Sequence, residues 1–111
     1  MAKTFKMAPY FLEKAFKAED PMERFRQSIA AMIAINSLNL SFEKPFNPIL
    51  GETLQTTVNG CPLYIEQISH HPPITSYYFV GRGYRLHGTA AIKIDIGLNN
   101  AKGYSELSHT L

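Results

Sequence analysis

The chain has almost no cysteine, the residue that forms disulfides and many structural metal sites. It contains a single cysteine, Cys61, among 111 residues. One cysteine excludes an internal disulfide framework and fits a reducing compartment. Cys61 also belongs to no metal-ligand spacing, so the sequence predicts neither a metal site nor another cofactor.

The net charge of the chain is small. The 11 Lys and Arg residues against 9 Asp and Glu residues give a formal net charge of +2. A nucleic-acid-binding domain is usually far more basic, and this sequence has no basic run with interleaved aromatic residues. We therefore expect no nucleic-acid partner.

Long apolar runs are also missing. The longest, residues 29–35, is much shorter than the ~20 residues of a membrane span, and the N-terminus lacks the apolar segment of a secretory signal. With 45% hydrophobic residues, the 111-residue chain has enough material for one small globular unit. We expect a soluble chain that forms at most one domain.

Helical periodicity dominates the first third of the chain. The predicted buried face of a short amphipathic helix over residues 10–17 comprises Phe11, Leu12, Ala15 and Phe16. A second helix is predicted to begin at Pro21, because Asp20 is a good N-cap residue. Glu23 lies three residues after Asp20, as in a capping box.

The second predicted helix carries a long apolar stripe, which predicts a buried face. The residues that recur at helical spacing are Met22, Phe25, Ile29, Met32, Ile33 and Leu40. Because residues 29–35 are apolar on every side, we expect them to be covered on more than one face, by the sheet or by lipid in a tunnel wall. Asn36 and Ser37 favour a helix end over a polar tunnel wall.

After Gly51 the hydrophobic period changes to two, which predicts strands. The predicted strands cover residues 54–58, 63–69, 74–80 and 84–96, with a weaker one around Tyr104. Asn59-Gly60 predicts a hairpin turn between the first two. The pattern predicts an α+β fold in which N-terminal helices pack on an antiparallel β-meander.

The most unusual segment is residues 66–73, Glu-Gln-Ile-Ser-His-His-Pro-Pro. Pro72 disfavours the α region for His71, and the two prolines lack backbone donors, so the segment is stiff and either extended or turning. Neighbouring side chains on extended backbone point to opposite faces. His70 and His71 can therefore converge on one ligand only if a turn re-aims one imidazole; otherwise the pair is surface polarity at a strand end.

A second rigid segment lies upstream at residues 44–53, Lys-Pro-Phe-Asn-Pro-Ile-Leu-Gly-Glu-Thr. Together with residues 66–73 it resembles the signature of the oxysterol-binding protein family, in which the second run is the fingerprint. The one departure within the fingerprint is Ile68, where valine is commoner. The resemblance extends more loosely from the helical region to the strand of Tyr84.

The resemblance implies a cytosolic lipid-transfer domain that binds a sterol or another lipid in a β-barrel tunnel and exchanges it for phosphatidylinositol 4-phosphate. It also implies peripheral contact with membranes, with endoplasmic reticulum contact sites among the candidates. The positions that match the family's phosphoinositide-contacting segments are Lys44, Phe46, Asn47, His70 and His71. Lys44 would supply a cation, Asn47 and the imidazoles would donate hydrogen bonds to phosphate oxygens, and Phe46 would pack. Because a phosphate favours the imidazolium form, binding should strengthen as the pH falls through the histidine range.

The family's lipid-binding domain is several times longer than this chain, and the predicted strands are too few to close around a lipid. We therefore expect residues 1–111 to be a fragment of that domain, with an incomplete β-barrel. Its expected parts are a helical region, a motif loop and a strand region, at residues 1–41, 42–50 and 51–111. Residues 1–6 are too short for the family's lid, and Lys93 and Lys102 match no motif of the family's downstream charged cluster.

Enzymatic alternatives are weaker. A metal-dependent hydrolase could use His70, His71 and Glu66, but adjacent histidines do not form the i, i+4 helical pair of such sites. Ser69 and His70 are neighbours on extended backbone and point apart, and no nucleophile elbow surrounds Ser69. We expect no enzymatic activity.

A truncated module that transfers no lipid is the more serious rival. Such a module would bind a protein partner, or the phosphoinositide alone, and the open edges of a meander favour pairing with another chain. The sequence leaves the oligomeric state and the cargo lipid open. His87 and His109 carry no chemistry that we identify, and both are predicted to face solvent.

Overall fold

The computed structural model describes residues 2–37, 46, 48–96 and 101–111, and the side chains of all of these except 92, 94–96, 101–105 and 107. A turn of 3-10 helix, Ala2–Phe5, precedes helices α1 (Ala8–Lys17) and α2 (Pro21–Ser37). The strands are β1 (Thr53–Val58), β2 (Cys61–His70), β3 (Pro73–Gly81), β4 (Tyr84–Ile96) and β5 (Ala101–Thr110). None of the helices in the described ranges is long and apolar enough to cross a membrane.

The strands form one antiparallel sheet in sequence order, from β1 at one edge to β5 at the other. Asn59 and Gly60 connect β1 to β2 with φ angles of 51° and 76°, as the predicted hairpin turn requires. The weakly predicted strand around Tyr104 is β5. These findings confirm the α+β fold, with helices on an antiparallel meander that is open across the described strands.

One face of the sheet shares a hydrophobic core with the 3-10 turn and both helices. The buried apolar residues of this layer are Phe5, Ala8, Leu12, Ala31, Ile35, Cys61, Leu63, Ile65, Tyr77, Phe79 and Leu86. The ring of Phe5 lies at the centre, with its centroid 5.1 Å from that of Tyr77 and 5.5 Å from that of Phe79. The 3-10 turn therefore fills the space between helices and sheet, and apolar burial of this kind is the main stabilising term.

The start of α2 follows the prediction at Asp20 and Pro21, whereas the Glu23 carboxylate does not complete the capping box. The Asp20 carboxylate accepts hydrogen bonds from the backbone N–H groups of Met22, at 3.2 Å, and Glu23, at 3.3 Å. This confirms Asp20 as the cap. The Glu23 carboxylate turns along the helix, where it accepts from the Gln27 amide at 2.7 Å and lies 3.7 Å from the Arg26 guanidinium.

The predicted burial of the α2 stripe is wrong for four of its six residues. Ala31 and Ile35 are the buried residues of the helix, while Met32 packs at the edge of the core. The residues left between 42% and 63% exposed are Met22, Phe25, Ile29 and Ile33. Leu40 lies outside the described residues. Because residues 29–35 are apolar all round, hydrophobicity could not select the buried face.

Helix α1 matches its predicted face in part. Leu12 and Ala15 are buried, and Phe11 packs against the core. Phe16 does not share this burial, since it is 59% exposed. Its ring lies over Gly83 in the β3–β4 turn, in space that any side chain at Gly83 would fill.

The two histidines outside the fingerprint differ from each other. His87 is exposed, as predicted. His109 is partly buried, contrary to prediction, because its Nδ1 is hydrogen-bonded to the Tyr77 hydroxyl. Burial raises the pKa of Tyr77 to about 12 and holds the pKa of His109 below its ordinary value.

Candidate functional site

The adjacent histidines of the fingerprint form a corner at the end of β2. The ring centroids of His70 and His71 are 4.6 Å apart, with 67° between the ring planes, and both residues are exposed. A β-bulge between Gln67 and Ser69 shifts the register just before the corner. The His71–Pro72 peptide bond is cis. The two imidazoles lie beside each other at this corner, and their convergence on one ligand stays a prediction.

The end of the upstream motif forms a turn that leads into β1. The backbone N–H of Ile49 donates to the Glu52 carboxylate at 2.9 Å, and the Glu52 N–H donates to the Ile49 carbonyl oxygen at 3.0 Å. Gly51 has a φ of 78°, in the left-handed region that other residues enter at a cost. The Ile-Leu-Gly-Glu sequence thus encodes its own turn.

Two backbone hydrogen bonds join this turn to β2. The Gly51 N–H donates to the carbonyl oxygen of Gln67 at 2.8 Å, and the Gln67 N–H donates to the carbonyl oxygen of Glu52 at 3.0 Å. They continue the β1–β2 ladder beyond the pair Thr53 and Glu66. The two motif segments, separate in sequence, therefore meet at Gln67, just before the histidine corner.

The other predicted phosphate contacts lie in or beside this turn segment. Phe46 is fully exposed, so the expectation that it packs is wrong. Lys44 and Asn47 lie outside the described residues. The structure joins the Gly51 turn to Gln67, three residues before His70, whereas contact of Lys44 and Asn47 with the histidines stays a prediction.

Gln67 is a residue of this site that sequence reasoning missed. It is only 3% exposed. Its Nε2 donates to the Ser69 carbonyl oxygen at 2.7 Å, and its Oε1 accepts from the Thr75 hydroxyl at 2.6 Å. The available signal was its position, since it continues the buried row of alternate residues formed by Cys61, Leu63 and Ile65.

Lys93 on β4 forms an ion pair with Glu106 on β5. Lys93 follows Ala91, the β4 residue that pairs with Ile74 of β3, by two positions. Its ammonium group donates a hydrogen bond to the Glu106 carboxylate at 2.9 Å. That hydrogen bond lowers the pKa of Glu106. Among the residues described, no group of three or more His, Cys, Asp or Glu side chains could hold a metal ion.

The comparison with protein families agrees with this geometry. The family model for oxysterol-binding proteins matches residues 1–102. The chain belongs to this family. This family member is 39% identical over 75 residues to Oxysterol-binding protein 9 of Dictyostelium discoideum, covering 67% of this chain and 18% of the relative. It is 39% identical over 92 residues to mouse Oxysterol-binding protein-related protein 2, covering 77% and 19%. The chain therefore spans about a fifth of the length of these relatives.

Solved structures share the fold of this family member. The Osh1 ORD domain in complex with cholesterol matches with a TM-score of 0.74 and 26% identity, over 84% of this chain and 23% of that one. The Osh3 ORD in complex with PI(4)P, from Saccharomyces cerevisiae, matches with a TM-score of 0.71 and 27% identity, over 96% and 30%. The helices and meander thus correspond to part of a larger oxysterol-binding domain in each.

Proposed function

We propose that this chain binds the phosphate group of phosphatidylinositol 4-phosphate at the corner formed by His70 and His71. The observation that supports the site is the pair of backbone hydrogen bonds between the Gly51 turn and Gln67, because they hold the upstream motif beside the corner. The proposed contacts from that motif are Lys44, Phe46 and Asn47.

The chemistry of the corner suits a phosphate monoester. Each imidazole can donate hydrogen bonds to phosphate oxygens, and these bonds strengthen when the ring is protonated. The 4.6 Å separation of the His70 and His71 rings allows both to reach different oxygens of one group. Their exposure leaves the corner accessible to a lipid headgroup.

The solved relatives support a second, hydrophobic ligand. The Osh1 domain was solved with cholesterol and the Osh3 domain with PI(4)P. We infer that residues 1–111 supply part of a lipid-binding domain that exchanges a sterol or another lipid for the phosphoinositide between membranes. In this proposal residues 1–41 are its helical region, 42–50 its motif loop and 51–111 its strand region. The activity is binding and transfer, without catalysis.

The exposed stripe of α2 is the proposed contact for the hydrophobic lipid. Its members are Met22, Phe25, Ile29 and Ile33. They lie opposite Ala31 and Ile35, which are buried in the core. A contiguous apolar surface of this kind usually marks a ligand, membrane or protein contact. Lipid exchange would place the chain in the cytoplasm, at the periphery of membranes.

Vesicle binding tests the phosphate site. The chain is sedimented with phosphatidylcholine vesicles that either contain or lack phosphatidylinositol 4-phosphate. Replacing both histidines, His70→Ala with His71→Ala, should reduce binding to the level of vesicles without phosphoinositide. His87→Ala is the matched control, because His87 is also exposed but lies on β4. Undiminished binding by the double variant would show that the assignment is wrong.

A second candidate is recognition of a protein partner, or of the phosphoinositide alone, without transfer. Strand β1 favours it, because Thr53–Val58 is uncharged and forms an edge of the sheet, where a strand of another chain can pair. Partner binding in lipid-free solution that Lys44→Ala abolishes would support this candidate. Sterol transfer between vesicles that depends on His70 and His71 would exclude it.

A further inference from the structure

Gln67 is hydrogen-bonded to the upstream motif, to the bulge before the histidines and to strand β3. Its backbone joins the turn of Gly51 and Glu52, and its side chain joins Ser69 and Thr75. The four hydrogen bonds have lengths between 2.6 and 3.0 Å. One residue therefore connects the upstream motif, the bulge before the histidines and the neighbouring strand β3.

The orientation of the Gln67 amide is determined by its partners. The Ser69 carbonyl oxygen can only accept, so the Nε2 group must face it. The Oε1 atom then faces Thr75, whose hydroxyl donates to it. The reversed amide would place two acceptors against each other at Ser69, so this network has one arrangement.

The position of Gln67 would otherwise suit an apolar side chain. It follows Leu63 and Ile65 in the buried row of β2, and it is only 3% exposed. A buried amide is costly unless its donors and acceptors are bonded, whereas a leucine carries no such requirement. The hydrogen bonds of the Gln67 amide to Ser69 and Thr75 explain why a polar residue occupies this buried position.

We propose that Gln67 is a positioning residue for phosphate binding. Its backbone fixes the Gly51 turn, and its amide fixes the bulge that precedes His70 and His71, so that both segments present their donors to the same phosphate. The proposal rests on the phosphate-binding function of the corner. Binding groups must be held to within about 0.5 Å, which supporting hydrogen bonds of this type achieve.

The principal test is Gln67→Leu, which removes both side-chain bonds without changing charge. Binding to phosphatidylinositol 4-phosphate vesicles should weaken about tenfold, the effect of losing roughly one buried hydrogen bond. Gln55→Leu is the matched control, because Gln55 is an exposed glutamine on β1. Equal binding by the Gln67→Leu variant and the wild type would overturn the proposal.

A coupling experiment separates positioning from a general loss of structure. In the background His70→Ala, which keeps one imidazole, adding Gln67→Leu should weaken vesicle binding by clearly less than the tenfold expected in the wild type, because one of the groups that it positions is gone. A full tenfold further loss in that background would overturn the proposal.

A second pair of variants serves if Gln67→Leu does not fold. Thr75→Val removes the hydroxyl that holds Oε1, and Thr75→Ser restores it. The valine variant should bind more weakly and the serine variant should bind like the wild type. Weak binding by both variants, or by neither, would contradict the positioning role.

Nuclear magnetic resonance distinguishes failure of this inference from failure of the proposed function. If the wild-type chain does not prefer vesicles with phosphoinositide, the proposed function is wrong. The positioning role is then judged without ligand: the Gln67→Leu or Thr75→Val substitution should shift the imidazole resonances of His70 and His71 while those of His87 stay in place. Unchanged resonances of all three histidines would overturn it.

Discussion

The phenolic oxygen of Tyr77 on β3 lies 2.9 Å from the carbonyl oxygen of Ser108 on β5, to which it donates a hydrogen bond across the intervening strand. The intervening residue on β4 is Gly88, which pairs with Tyr77 on one side and His109 on the other. A Cβ atom at Gly88 would overlap both the Ser108 carbonyl and the Tyr77 hydroxyl. Strand β5 is therefore held by β3 as well as by its ladder with β4.

Gly88→Ala should destabilise the chain by about 3 kcal/mol, from overpacking and the loss of the Tyr77 hydrogen bond. The measurement is the free energy of unfolding in urea. Thr89→Ala, at the next position of β4, is the control and should change it by only about 0.5 kcal/mol. Equal stability of the Gly88→Ala variant and the wild type would contradict the hydrogen bond from Tyr77 to Ser108 across Gly88.

His109 should make the stability of the chain depend on pH. The Tyr77 hydroxyl donates to Ser108, so its oxygen accepts from Nδ1–H of His109, while Nε2 is buried without a partner among the described residues. Desolvation holds the pKa of His109 below the value of about 6.5 expected for the unfolded chain. The unfolded chain therefore binds the proton more readily. The contribution to stability is present above pH about 6.5 and is lost as the pH falls below it.

Urea unfolding at a series of pH values tests this dependence. His109→Asn should flatten the decline in unfolding free energy on acidification, and the exposed His87→Asn should leave it as steep as in the wild type. A decline that is equally steep in the His109→Asn variant would show that another group is responsible.

The two sides of α2 should respond differently to truncation. Ile35 is 2% exposed, whereas Ile33 is 63% exposed. Ile35→Ala should lower the free energy of unfolding by about 3 kcal/mol, since it leaves a cavity in the core, and Ile33→Ala should lower it by about 0.5 kcal/mol. Thermal or urea unfolding of both variants gives the comparison. Equal losses would mean that the helix does not bury the face described.

The Asp20 cap should be measurable independently of the core. Asp20→Ala removes the acceptor for the N–H groups of Met22 and Glu23 and should cost about 1 kcal/mol. Glu19→Ala is the neighbouring control, because Glu19 is exposed and precedes the cap. If both variants unfold at the same urea concentration, the cap does not contribute.

The strands were predictable from the sequence because their signals are local. The period of two after Gly51 and the Asn59-Gly60 turn were enough to define β1 and β2. The face of α2 was not predictable, since residues 29–35 are apolar in every direction and only packing in the folded core buries Ala31 and Ile35. His109 was placed on the wrong side because the weak pattern of β5 does not reveal a partner two strands away.

The candidate site was also predictable only where its signals are local in sequence. The rigidity of residues 44–53 and 66–73 marked both motifs, and the need for a turn between two converging imidazoles followed from strand geometry. Gln67 was not identified as a site residue, because its partners Gly51, Glu52 and Thr75 come together only through pairing of strands and the bulge at Ser69. Hydrogen bonds between distant segments leave little trace in local sequence.

The most direct test of the central claim is a titration of the isotopically labelled chain with a soluble short-chain phosphatidylinositol 4-phosphate, followed through the imidazole resonances. If His70 and His71 bind one phosphate, both sets of resonances should move with the same dissociation constant, and those of His87 should not move. A titration in which neither His70 nor His71 responds, or in which His87 responds equally, would contradict the account.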